Sequence, residues 1–223
     1  AFDLMRDSVD FQDNKKVLLT SLENFHTIVV DNDSSASILI SLGFPEINIL
    51  NFPWGVPTEY KSPTDLTNAS LRSQLGEGKI VFSPRSLHKH YNQPLIFRAF
   101  GQVREKFRDA KLVLIDDDPS QRRELMSLAN ELKIEASLVW LPFSNSSQLE
   151  FWLQESDVVV TAASTDGTSV TVLQAMKLGI PVVSSVTLGS SSWVFNGVTG
   201  FTFAVGDEDG CVNALSRALE MKH

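Results

Sequence analysis

The sequence predicts an α/β protein built on a doubly wound, Rossmann-like parallel sheet. Three observations carry this. Short apolar runs recur along the chain, such as "KLVLI" (Lys111 to Ile115) and "DVVVTA" (Asp157 to Ala162). They are continuous rather than alternating, as in a parallel sheet covered on both faces. Amphipathic runs of helical length separate them, and such strand–helix repetition builds parallel sheets through right-handed crossovers. In that architecture ligands bind at the carboxyl ends of the strands.

The elements follow in order. "TIVVDN" (Thr27 to Asn32) reads as a buried strand. "SSASILISLG" reads as a helix with Ser34 or Ser35 as N-cap and Gly43 as its stop. "INILNF" (Ile47 to Phe52) is a second strand. Pro53 to Thr67 carries three prolines and few apolar residues, which marks a linker or hinge. From Lys79 the alternation is regular. Strands are predicted at Lys79 to Ser83, Lys111 to Ile115, Ser137 to Leu141, Asp157 to Ala162 and Pro181 to Ser185, with a last one at Gly200 to Val205. Helices are predicted at Gln93 to Phe107, Ser120 to Ile134, Ser147 to Ser156, Ser169 to Gly179 and Asp207 to Lys222. The expected division is a segment 1–60 and a domain 61–223.

The totals exclude several classes. The 223 residues carry a net charge of −8, a poor match for nucleic acid, whose affinity comes from Lys and Arg. One cysteine, Cys211, excludes an intrachain disulfide and a Cys-rich metal site and fits a reducing, cytoplasmic compartment. No apolar run approaches the ~20 residues that span a bilayer, and the first residues lack a signal-peptide core.

The stretch "STDGTSVTVLQAMKLGIPVV" (Ser164 to Val183) is the most informative. Its polar turn leaves the end of a strand and opens a helix. Thr168 and Ser169 are expected in the first helical turn, where free N–H groups and the positive end of the dipole favour an anion. Gly167 removes a side chain where a ligand comes close. Thr171, Gln174 and Lys177 share one flank of the helix, so Gln174 can aim its amide beyond the phosphate, and Asp166 can face the same cavity. The same residue types also serve as plain helix caps, and that alternative stands on the motif alone.

The stretch resembles the signature of the retaining glycosyltransferases of family 4, "group 1", with the GT-B fold. The signature reads here as Asp166-Gly167, then Gln174-Ala175-Met176, then Gly179-Ile180-Pro181-Val182-Val183. "NGVTGF" (Asn196 to Phe201) is similar to the family's downstream element, "NFPWGV" to the segment between its two domains, and "SPRSLHKHYN" to its phosphate-binding loop. The resemblance runs from about Thr27 to the end of the chain.

It implies a C-terminal domain that holds a nucleotide-diphosphate sugar without a metal or cofactor. Arg85 matches the arginine that neutralises the diphosphate. The family's lysine falls at His90 by spacing, with Lys89 one residue earlier as the expected counterpart. Asp166 matches the acidic residue on the donor sugar, the Thr168 and Ser169 amides hold sugar or phosphate, and the loop near Phe143 seats the base. Gln174 stands where the family has a ribose-binding Glu, and Ser192 where many relatives have another Glu. The amide loses charge assistance of about 1 kcal/mol.

Asp116-Asp117-Asp118 can be read as a metal cluster, but helix capping before Pro119 is the expectation. The aromatics of "HYNQPLIFRAF" and Trp152 are expected in the core, and Trp54 under the linker. A full family member has two such domains. The resemblance therefore implies a missing N-terminal acceptor domain, an unspecified glycan, lipid or protein acceptor, and a fragment that transfers sugar poorly alone. It also leaves room for polysaccharide or lipopolysaccharide biosynthesis, with a longer chain peripheral to the inner face of a membrane. Two alternatives stay open. One is a non-catalytic nucleotide-sugar-binding or scaffold module in polysaccharide assembly. The other is a different nucleotide-binding α/β enzyme, although a Gly-x-Gly-x-x-Gly fingerprint is absent.

Overall fold

The computed structural model describes residues 9–22, 24–57, 70–73, 75–142 and 146–221. The first part holds α1 (Val9–Leu22), β1 (Ile28–Val30), α2 (Asp33–Ser41) and β2 (Ile49–Asn51). The second part alternates β3 (Ile80–Ser83), α3 (Gln93–Val103), β4 (Lys111–Asp116), α4 (Pro119–Leu132), β5 (Leu138–Pro142), α5 (Ser146–Gln154) and β6 (Val158–Thr161). It closes with α6 (Val170–Lys177), β7 (Val182–Ser185), β8 (Phe201–Phe203) and α7 (Glu208–Glu220).

The sheet order of the second part is β5-β4-β3-β6-β7-β8, with every pair parallel. The chain builds outward from β3 in one direction and then restarts at β6 in the other. The neighbours β3 and β6 therefore form the topological switch point, beyond whose carboxyl ends a crevice opens. β1 and β2 make a separate parallel pair in which Ile28 faces Ile49 and Val30 faces Asn51.

Continuous apolar strands were the prediction for a sheet buried on both faces, and the packing shows why. In β3, Val81 joins a core layer with Phe97 and Phe100 of α3 and Leu215 and Ala218 of α7. Ile80 and Phe82 point to the opposite layer, with Trp152 of α5 and Val172 and Ala175 of α6. β6 divides likewise, Val158 and Val160 to the first layer and Val159 to the second. Trp152, Phe97 and Phe100 are fully buried, as expected for core aromatics.

Several boundaries differ from expectation. The helix α1 has no counterpart in the sequence reading, since its apolar residues make no clear stripe. α2 is capped by Asn32, whose side chain accepts from Ser35 N at 2.8 Å, rather than by Ser34 or Ser35. α3 stops at Val103 and not at Phe107, because Glu105 N and Lys106 N turn back to the carbonyls of Gln102 and Val103. α6 begins at Val170 with Ser169 as its N-cap, so Thr168 and Ser169 precede the helix rather than lying in its first turn. Trp54 is 58% exposed and not packed away. The predicted hinge from residue 58 on, and the 60/61 division, lie outside the described residues.

The three aspartates at and after the end of β4 have separate structural duties. Asp118 caps α4, accepting from Ser120 N at 2.8 Å and Gln121 N at 3.2 Å. The Ser120 hydroxyl and these amides hold its carboxyl below the usual aspartate range. Asp116 pairs with Arg122, and Asp117 accepts from Leu87 N at 2.9 Å. Among the described residues no helix is long and apolar enough to cross a membrane.

Candidate functional site

Two loops leave the switch point. The loop after β3 carries Arg85, and the loop after β6 carries Asp166, Gly167 and Thr168 before the Ser169 cap. The first loop is pinned from beneath. Gln93, 1% exposed at the start of α3, accepts from Ser83 Oγ at 2.9 Å and donates to the carbonyls of Arg85 and Ser86. Asp117 holds the loop's other side through Leu87 N. Three side-chain contacts thus fix the loop backbone, and Ser83 Oγ anchors the Gln93 side chain that makes two of them.

Arg85 then reaches across to the second loop. Its Nη2 donates to Asp166 Oδ1 at 2.9 Å and to the Tyr91 hydroxyl at 2.6 Å, and its Nη1 donates to Ser169 Oγ at 3.1 Å. The guanidinium also lies 4.2 Å from the centroid of the Tyr91 ring, within cation–π range. Burial raises the Asp166 carboxyl above the ordinary aspartate range, with the Arg85 charge opposing that shift. The two side chains are 16% and 17% exposed, so the pair is largely shielded from water.

The opening of α6 faces the first part of the chain. Thr168 N donates to Asp31 Oδ2 at 3.0 Å, and Thr168 Oγ1 donates to the Asp31 carbonyl at 2.9 Å. Asp31 follows β1, so the carboxyl ends of the two sheets confront each other. A Cβ placed on Gly167 would lie 3.2 Å from Asp31 Oδ2, a tight contact that the Asp31 side chain would have to relieve by a small shift. Between the two parts lies a cleft of about 490 Å³, bounded among others by Val29, Asp31, Ile38, Trp54, Asp166 and Gly167. Behind the opening is a second cavity of about 10 Å³, lined by Thr161, Asp166, Ser169, Ser185 and Trp193.

The structure therefore brings together Arg85, Asp166, Gly167, Thr168 and Ser169 from the sequence reading. It places Gln174 on α6 at 7% exposure. Lys177 turns away to the Pro57 carbonyl. Lys89 is exposed in a 3-10 turn (Lys89–Tyr91) and lines a different cavity of about 230 Å³ beside Gln121 and Glu124. His90 Nδ1 lies 2.8 Å from His88 Nδ1, and burial, then the neighbouring His88 and Arg85 charges, push His90 below the usual histidine range. Ser192 closes a 3-10 turn (Ser190–Ser192). Phe143 lies outside the described residues. Sequence reasoning missed Asp31, Tyr91 and Gln93 as parts of the site. Tyr91 sits six residues from Arg85 and was assigned to the core as an aromatic, whereas no local pattern marks Asp31.

A doubly wound sheet with a cationic side chain and a helix opening at its switch point defines a Rossmann-like α/β domain with an anion-suited crevice. The chain belongs to the glycosyl transferases group 1 family, whose model matches residues 68–223. A curated relative is sucrose synthase from Denitrovibrio acetiphilus, 27% identical over 157 residues that cover 63% of this chain and 20% of that protein. Among solved structures, Anabaena Alr3699/HepE in complex with UDP and glucose superposes with a TM-score of 0.81 at 19% identity, covering 94% of this chain and 58% of that one. Sucrose-phosphate synthase from Thermosynechococcus elongatus superposes with a TM-score of 0.75 at 18% identity, covering 98% of this chain and 54% of that one. The chain thus spans a fifth of the curated relative and little more than half of either solved chain.

Proposed function

We propose that this chain is the donor-binding part of a retaining, metal-independent family 4 glycosyltransferase that takes sugar from a nucleotide diphosphate. Residues 61–223 bind the donor, and residues 1–60 are the acceptor-side tail and hinge. The observation that carries the reading is the meeting of Arg85 with Asp166 and Ser169 above the β3/β6 switch point. A fixed guanidinium and a helix opening there oppose the negative charge that develops on a leaving diphosphate. Asp166 and Gly167 face the sugar, Gln174 the ribose, and the loop near Phe143 the base. Lys89 is a second cation for the phosphates only if its turn moves toward Arg85. The Anabaena structure holds UDP and glucose, which makes a uridine nucleotide the first donor to try. The acceptor is a glycan, lipid or protein on the far side of the cleft.

Calorimetry with UDP, GDP and ADP, each with and without EDTA, tests the proposal. One nucleotide binds, and EDTA leaves its affinity unchanged. Absence of binding by all three at millimolar concentration overturns the donor reading, and strict dependence on a divalent ion overturns metal independence.

A second reading, a non-catalytic nucleotide-sugar-binding or scaffold module in polysaccharide assembly, is favoured by one observation. Gln174, a neutral residue, is buried at the ribose position of the family pattern. A longer form of the protein that binds donor yet neither hydrolyses nor transfers it supports this reading.

A further inference from the structure

We propose that Asp31 is a built-in occupant of the α6 opening, which a nucleotide diphosphate must displace before it can bind. The proposal rests on the donor-binding reading above and adds to it a residue from outside the donor-binding domain.

The carboxylate is held in place by several donors. Its Oδ2 accepts from Thr168 N at 3.0 Å and from Trp54 Nε1 at 2.9 Å, and its Oδ1 accepts from Asn32 Nδ2 at 2.8 Å. The Asp31 carbonyl takes the Thr168 hydroxyl as well. A negative group thus holds the loop amide just before the Ser169 cap of α6, next to the helix end that favours an anion. Asp166 does the same to the second element of the pocket by neutralising Arg85 at 2.9 Å. In this arrangement the chain's own carboxylates meet the donors that a diphosphate would use.

A separate observation concerns buried polar atoms beside the same loop. Thr161 is 4% exposed, and its Oγ1 has no partner among the described residues. It lines the small cavity with Asp166, Gly167 and Ser169, directly behind the opening. Among the described residues the buried Nε of Arg85 also has no partner. Buried polar atoms left unpaired are costly and call for an explanation such as a bound ion or water, and the cavity of about 10 Å³ has room for about one water.

The contact spans 137 residues of chain and joins the segment after β1 to the loop after β6. Displacing the carboxylate removes one of the ties between the first part of the chain and the loop after β6, while the Asp31 carbonyl keeps the Thr168 hydroxyl and Lys177 keeps the Pro57 carbonyl. A latch shut about nine-tenths of the time lowers apparent affinity about tenfold.

Calorimetry with UDP on the full 223-residue chain tests this in wild type, Asp31→Ala, Asp31→Asn and Trp54→Phe. Asp31→Ala binds UDP about tenfold more tightly than wild type. Asp31→Asn falls between them, because its oxygen still accepts from Thr168 N but without charge assistance. Trp54→Phe removes one anchor of the carboxylate and gives a smaller gain. If Asp31→Ala does not fold, Trp54→Phe decides. Unchanged or weaker affinity in the variants, with Arg85-dependent binding in wild type, overturns the latch and leaves the donor reading standing. Absence of UDP binding in wild type and Asp31→Ala alike overturns both.

Discussion

The guanidinium of Arg85 lies 2.9 Å from the carboxylate of Asp166 across the point where the sheet reverses its order. The two residues leave the ends of adjacent strands, although 81 positions separate them in sequence. Both are mostly withdrawn from water, and Ser169 and Tyr91 complete the shell of the guanidinium. A fork of this kind can exchange one carboxylate for the oxygens of a phosphate with little rearrangement.

Arg85→Ala removes that fork. Nucleotide affinity in calorimetry falls by about 10- to 100-fold, the size of a lost hydrogen-bonded charge. Arg85→Lys keeps the charge but loses the bidentate geometry, and binds between the two. An Arg85→Ala protein with full affinity would remove Arg85 from the site.

Asp166 titrates in the direction set by its burial. Its folded-state value is raised above the ordinary 3.8. Its contribution to stability is therefore fully present below the unfolded value and is lost as pH rises through the raised one. Asp166→Asn lacks this loss, so the melting temperature of the variant gains on wild type as pH climbs above 3.8. Thermal melts across that range check the sign, and a variant that loses ground to wild type as pH rises contradicts it.

Gly189 bears against the donor loop. A Cβ at this position would lie 1.9 Å from the Gly167 carbonyl oxygen and 2.6 Å from Thr168 N. Gly189→Ala must push the backbone of Gly167 and Thr168 aside. It costs about 1–3 kcal/mol of stability in denaturant unfolding and weakens nucleotide binding as well. Gly43→Ala is a useful contrast, because its strain at φ +100° arises far from the loop, with nothing within 4 Å of the added carbon. It lowers stability without touching nucleotide affinity.

Cys211 is fully buried on α7, and burial, with Glu208 and Asp207 nearby, pushes its thiol up to about 12. The reactive species is the thiolate, so the folded protein resists a thiol reagent at neutral pH. Labelling appears only with denaturant, and its midpoint matches that of unfolding. Rapid labelling of the native protein would show that α7 opens locally.

Much of the fold was legible because the strands of the six-stranded sheet are apolar on both faces, whereas β1, expected as a buried strand, leaves Val29 65% exposed. Val158, Val159 and Val160 of β6 need cover above and below, and only a sheet layered by helices supplies it. The boundaries were less legible. At α2 and α3 the competing signals, Asn32 against Ser34 and a frayed turn against a longer helix, differ by little in local energy.

The candidate site divides in the same way. Asp166, Gly167, Thr168 and Ser169 form one local run whose chemistry is readable residue by residue, and Arg85 lies in a loop with its own recognisable pattern. By itself the sequence determined a layered parallel sheet with an anion-suited turn at a strand end, because periodicity and capping are local properties of the chain. Only the tertiary structure decided that Arg85 meets Asp166, that Lys89 faces another cavity, and that Asp31 sits on the Thr168 amide. Those are contacts between distant segments, set by strand order and by how two sheets face each other, and no short-range pattern encodes them.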